Sequence, residues 1–209
     1  MLYIDPLKKD DFKYTFEYWP SFCTFPTITS VMNLNKNISL LKTCNLLPAY
    51  GNHQLLHAEE KLYLIHNQIK LNAKYRQVSE IIDAVDKGKN AFFYLRQSAY
   101  VNNEKGVEEL AYYVDRTIFI RGLGGFGFKG NNSSATIPDI PKRKPDMILK
   151  DKTFPNQAFF YRLCNDGNPL HIDPAISSKA GFERPIIHGM ASYGVVTRNI
   201  VQSLLGNNP

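Results

Sequence analysis

Between residues 59 and 121 the chain repeats one pattern: a long run rich in β-branched and aromatic residues, then a short cluster of Gly, Asn, Asp or Lys. Lys61 to Ile65 alternates weakly and is followed by the turn-like His66-Asn67-Gln68. Leu71 to Val85 is a long strand candidate, stopped by Asp86-Lys87-Gly88-Lys89. Ala91 to Val101 carries Phe92, Phe93, Tyr94 and Tyr100 and stops at Asn102-Asn103-Glu104-Lys105-Gly106, and Leu110 to Ile120 closes the series. Such side chains suit a pleated, half-buried surface, and the short turns bring neighbouring runs back antiparallel. The expectation is an antiparallel meander. The preceding segment, Phe22 to Leu47, is mixed and reads as irregular structure.

Gly122 to Gly130, GLGGFGFKG, follows the last strand and contains GxGxxG. A dinucleotide site needs a helix to begin there, so that its N-terminus meets the pyrophosphate. Instead Lys129-Gly130-Asn131-Asn132-Ser133-Ser134 follows, and prolines recur at 138, 141, 145 and 155. The dinucleotide reading fails. Two others stand: a flexible exit from the sheet, or a loop whose bare amides approach a phosphate. Residues 131–154 read as a linker, with a short strand candidate at Met147-Ile148-Leu149. Beyond it come a short helix over Asn156 to Leu163, a helical turn over Ile176 to Ala180 stopped by Gly181, and a last helix over Gly189 to Leu205. In that helix Met190, Tyr193, Val196, Ile200 and Leu204, with Val201 and Leu205, predict a broad buried face.

The chemistry concentrates in Tyr161 to Pro174, YRLCNDGNPLHIDP. Gly167 frees the backbone there, while Pro169 and Pro174 fix φ and remove donors. Asp166 and His171 are an acid–base pair that can share a water, and the Asn168 amide can orient it. The alternative is an Asx-turn around Gly167 with His171 on the surface. Gly189 opens the last helix, where its amide is an unpaired donor at the positive end of the dipole, suited to a developing oxyanion. His188 reads as structural and Cys164 as a small buried residue. No HxxxH, CxxC or carboxylate cluster argues for a metal.

The net charge is +6, with a pI near 9.1. The charges are dispersed and the densest cluster, Lys142-Arg143-Lys144, is bracketed by prolines, which disfavours nucleic acid and leaves a small polyanion as a fitting partner. No apolar run approaches the roughly 20 residues that span a bilayer. The N-terminal residues resemble neither a secretory signal nor a transit peptide. Three widely spaced cysteines argue against a disulfide framework and for a reducing compartment.

YRLCNDGNPLHIDP together with GFERPIIHGM resembles the hydratase-2 motif of the MaoC-like (R)-specific enoyl-CoA hydratases. The likeness extends through FCTFPT at Phe22 to Thr27, LLHAEEKLYL at Leu55 to Leu64, DKGK at Asp86 to Lys89 and GGFGFKG at Gly124 to Gly130. The resemblance implies an α+β double hot dog, each half a curved antiparallel sheet wrapping a long helix. It divides the chain into an acyl- and CoA-binding half over 1–130 that is expected to lack the family's first strand region, a linker over 131–154, and the start of a catalytic half over 155–209. The implied reaction is hydration of trans-2-enoyl-CoA to (3R)-3-hydroxyacyl-CoA in β-oxidation, with no metal or redox cofactor and in peroxisomes. Alternatives are a non-catalytic acyl-CoA-binding relative and a hot-dog thioesterase. By motif, Asp166 and His171 are the catalytic pair, Asn168 the supporting residue and Gly189 the oxyanion amide. His57, Ala58 and Lys87 fall where the family contacts CoA, and Glu17 aligns with an important acidic residue. Departures are Cys164-Asn165-Asp166 for the usual Ser-Gly-Asp, Gly167 at an often-Trp position, and Ala58 for glycine. Only four residues follow Leu205, so the second hot dog is expected to stop after its helix. Three readings follow: the sequence is a fragment, a second copy or another chain covers that helix, or the product is a decayed, weakly folded relative. The C-terminus, Gly206-Asn207-Asn208-Pro209, is not an SKL-type address.

Overall fold

A computed structural model of the chain describes residues 54–65, 73–131, 139–164 and 166–205. Glu17 and the segment Phe22 to Leu47 lie outside these residues. Four strands form one antiparallel sheet: β1 (Leu55–Leu64), β2 (Tyr75–Asp86), β3 (Ala91–Asn102) and β4 (Glu108–Ile120). Their order is β1-β4-β3-β2. The meander expectation therefore holds for β2 to β4, while β1 lies beyond β4 rather than beside β2. β1 also begins well before Lys61, because Leu55, Leu56 and His57 pair with Ile120, Phe119 and Ile118.

Period-two alternation sets the core. On β3, Ala91, Phe93, Leu95, Gln97, Ala99 and Val101 are all buried, and they face Ile120, Ile118, Arg116, Val114 and Tyr112 of β4 across the pleat. Two apolar clusters result, one around Ala99, Val101, Tyr112 and Val114, the other around Phe93, Leu95, Ile120 and Leu123. Each fully buried large side chain there stabilises the fold by about 1.5–3 kcal/mol.

Between the clusters a polar row crosses the same face. Arg116 on β4 makes paired hydrogen bonds, both 2.7 Å, to Glu60 on β1, and reaches Gln97 on β3, which donates to Ser79 on β2. Arg116 and Glu60 are 5% and 3% exposed, so this is a buried ion pair with its hydrogen bonds made.

The glycine-dense loop after β4 is not a loose exit. Asp86 accepts from the amides of Gly88, Gly125 and Gly127 at 2.7, 3.1 and 2.6 Å, and Asp83 accepts from Asn131. The amides of Gly127 and then Gly125 hold the Asp86 carboxyl below its ordinary pKa. A Cβ on Gly124 would lie 2.0 Å from the Gly88 carbonyl oxygen, so this close approach admits only glycine. Since Asp86 takes those amides, the phosphate reading of the loop falls as well.

The second half is helical: α1 (Gln157–Tyr161), a 3-10 turn over Arg162–Cys164, another over Pro169–His171, α2 (Pro174–Lys179) and α3 (Gly189–Leu204). Asp173 caps α2 by accepting from Ala175 and Ile176, and Gly181, at φ +81°, lets the chain turn out of it. Three expectations are corrected here. Met147-Ile148-Leu149 is exposed and forms no strand, since no neighbouring strand pairs with it among the described residues. Cys164 is exposed rather than buried, because the 3-10 turn points it outward. On α3 the buried residues are Met190, Ala191, Arg198 and Val201, whereas Val196, Ile200 and Leu204 are exposed. The helix turns its Arg198 side inward, where it pairs with Asp151, and no described residue covers the Val196 stripe.

Candidate active site

The turn Asp166 to His171 is built by its own side chains. Asp166 Oδ1 accepts from the Asn168 amide at 3.1 Å, an Asx-turn. Asn168 Oδ1 caps the 3-10 turn by accepting from Leu170 at 3.1 Å. The two readings of this stretch thus coexist: the Asx-turn is present, and it is what holds Asp166 and His171 in place. Asp166 is buried, with Oδ2 left over. His171 donates from Nδ1 to the Ile186 carbonyl at 2.8 Å, since that partner can only accept. In the neutral ring, Nε2 then carries the free lone pair, the tautomer a general base needs.

His188 joins them. Its ring packs on His171 at 3.7 Å between centroids and on Tyr161 at 4.5 Å, and its Nε2 lies 4.0 Å from Asp166 Oδ2. One ligand-capable atom from each of Asp166, His171 and His188 lies within 4.8 Å of the others. Burial, then the neighbouring His171, pulls the His188 pKa down to about 4, so the ring is neutral at physiological pH. Burial raises the Tyr161 phenol pKa, helped by Cys164, Asp166 and Glu60, which keeps it protonated. Sequence spacing assigned His188 a structural role. The structure brings its ring against His171 and within 4.0 Å of Asp166, a proximity that spacing within the motif does not encode.

Gly189 is the first residue of α3, and its exposed amide has no acceptor within the helix. Across from it stands the sheet. A Cβ at Gly189 would lie 4.0 Å from His57 Nδ1, so β1 and the head of α3 meet here. His57 donates from Nε2 to Glu60 at 2.9 Å and to the Glu59 carbonyl at 3.0 Å. Burial alone would raise the Glu60 pKa, but hydrogen bonds from His57 and Arg116 outweigh it and the net shift is downward. Ala58 is bulged out of the β1–β4 ladder, between His57 and Glu59. A second clamp joins the halves at the end of β4, where Arg121 donates to the Ala180 carbonyl and stacks on Phe182. Lys87 sits exposed in the β2–β3 turn, where its amide donates to the Asn90 carbonyl at 2.9 Å.

A cleft of about 1160 Å³ opens onto His171. Phe154, Phe159 and Ile186 give it apolar walls, and Lys150, Lys152 and Arg184 give it positive charge. The arrangement can hold a water between acid–base groups and place a carbonyl oxygen against a helix N-terminal amide.

Residues 6–122 match the MFE-2 hydratase 2 N-terminal domain family, and residues 136–209 the MaoC like domain family. A probable enoyl-CoA hydratase 2 of Dictyostelium discoideum is 33% identical over 203 residues, covering 96% of this chain and 67% of that protein. Peroxisomal multifunctional enzyme type 2 of Mus musculus is 32% identical over 95% of this chain and 26% of its own length. The chain likewise spans only 22% of a similar Neurospora crassa protein, the peroxisomal hydratase-dehydrogenase-epimerase. Among solved structures, a MaoC-like dehydratase from Phytophthora capsici aligns with a TM-score of 0.65 and 31% identity over 77% of this chain and 52% of that one. The Drosophila melanogaster peroxisomal multifunctional enzyme type 2 aligns with a TM-score of 0.64 and 27% identity, over 87% of this chain and 30% of that one.

Proposed function

The chain belongs to the MaoC-like hydratase 2 family, and on that footing we propose that it adds water to a trans-2-enoyl-CoA, giving the (3R)-3-hydroxyacyl-CoA. The observation that carries this reading is the set of buried Asp166, half-buried His171 and buried His188 beside the helix-opening amide of Gly189. The water oxygen bonds to C3 of the substrate as one of its protons passes to the Asp166–His171 pair. The C2–C3 π pair shifts to C1–C2 while the carbonyl π pair moves onto the thioester oxygen, and the Gly189 amide stabilises that enolate. The enolate then collapses, and C2 takes a proton back from the same pair. Asn168 acts through the turn it caps.

The CoA portion lies against His57, Ala58 and Lys87, and the acyl chain is held mainly by the first half. The cleft at His171 adds Lys150, Lys152 and Arg184 as partners for phosphates. Glu17, outside the described residues, stays in the proposal as an acidic residue of the substrate half. The division into 1–130, 131–154 and 155–209 stays with it. The reaction as written uses no metal or redox cofactor. A peroxisomal location is supported by the relatives whose names carry that word.

The test is incubation of the purified chain with crotonyl-CoA and trans-2-decenoyl-CoA, with chiral analysis of the product. A (3R)-3-hydroxyacyl-CoA is expected. Release of free CoA would make the protein a thioesterase instead, and binding without turnover would make it an acyl-CoA-binding relative.

A further inference from the structure

His188 is 1% exposed, and neither ring nitrogen makes a hydrogen bond of good geometry to the described residues, its polar neighbours being the carboxylate and the backbone of Asp166. Leaving a buried polar group unsatisfied is costly, and a small ligand at Nε2 would offset part of that cost. Its Nε2 faces Asp166 Oδ2 across 4.0 Å, too far for a direct bond and close enough for a shared third atom.

The size of the triangle decides what that atom is. Two zinc ligands at about 2.1 Å in tetrahedral geometry sit roughly 3.4 Å apart. The 4.0 Å gap exceeds this. A triangle with one side of 4.0 Å and the others up to 4.8 Å has a centre about 2.6 Å from each corner, longer than a zinc bond and within the range of a hydrogen bond to water.

We propose that His188 is a third group holding the reacting water, so that Asp166, His171 and His188 together fix its oxygen; this rests on the hydratase reading. The donor count closes. The water donates to Asp166 and to His171 Nε2, and accepts from the His188 ring N–H. One lone pair remains, and it is the one that attacks C3. Neutrality of His188 suits this, because an imidazolium there would pair with Asp166 and quench the base. Its neighbour Gly189 holds the carbonyl oxygen, so consecutive residues at the head of α3 position nucleophile and electrophile.

The test uses the full chain and crotonyl-CoA. A crystal structure resolving ordered solvent is expected to place one water within hydrogen-bond reach of all three side chains. His188→Phe keeps the ring on Tyr161 and His171 but removes the nitrogens. It is expected to lose that water and to lower kcat about 100-fold with KM unchanged. His188→Gln, which restores a donor at similar reach, is expected to recover part of the rate. An empty triangle in the wild-type crystal, or wild-type kcat in His188→Phe, overturns the proposal. If His188→Phe does not fold, the wild-type solvent and His188→Gln decide it. Absence of hydration by the wild type would sink the hydratase reading, while the crystal would still answer whether His188 holds a water.

Discussion

Two polar clusters lie on either side of the contact between β1 and the head of α3, and they differ in how completely they are paired. In the sheet, His57, Glu60, Arg116, Gln97 and Ser79 form a continuous row with good geometry. In the helical half, Asp166, His171 and His188 crowd within 4.8 Å, yet the His188 ring nitrogens make no hydrogen bond among the described residues and Asp166 keeps an oxygen in hand. A satisfied network rigidifies what it joins, whereas a partly satisfied one can take a reactant. Arg116 and its partners belong to the first kind, and the motif cluster to the second. Stability and chemistry should therefore separate cleanly between them.

The largest effect expected is on chemistry. Asp166→Asn should lower kcat for crotonyl-CoA by about 10²- to 10⁴-fold, the usual contribution of a general base, while the urea midpoint moves little. A midpoint that collapses along with kcat would show that Asp166 is a structural residue after all. The converse change is next. Arg116→Met leaves the Glu60 carboxylate buried without its main partner and should cost about 3–5 kcal/mol of stability. The fraction that stays folded should retain most of its kcat, checked by urea denaturation beside initial rates. A specific loss of kcat with intact stability would mean the sheet row takes part in the reaction.

The smallest effect is in pH dependence. His188 has its pKa pulled from 6.5 down to about 4, so below pH 6.5 the unfolded chain takes up a proton that the folded site refuses. Its contribution is complete above pH 6.5 and is lost progressively as pH falls towards 4. Asp166, His171, Arg162 and Tyr161 are the titratable or charged groups around it. His188→Phe should flatten the fall in urea midpoint across that window, and parallel curves for the two proteins would contradict this.

Local patterns were the legible part of the fold. Strand runs such as Ala91 to Val101, the stop at Gly181 and the start of the last helix at Gly189 depend on neighbouring residues, and they lie where spacing put them. Partners distant in sequence were not legible. β1 lies beside β4 because pairing is decided across the sheet, and no local signal in Leu55 to Leu64 names its neighbour. The glycine loop looked loose because Asp86, 39 residues before Gly125, is what binds it. The Val196 stripe of α3 looked buried because periodicity marks an apolar face without saying whether anything lies on it.

The candidate site divides the same way. The sequence alone determined the turn that carries Asp166, Asn168 and His171, since its Asx bond and cap form between residues two apart, and it determined that Gly189 would open a helix. Only the tertiary structure decided that His188 would stand with bare nitrogens beside Asp166, and that His57 would meet the head of α3. Those outcomes depend on how two separately patterned halves dock. Docking sets burial, burial sets which polar atoms lose their water, and no spacing within either half encodes that loss.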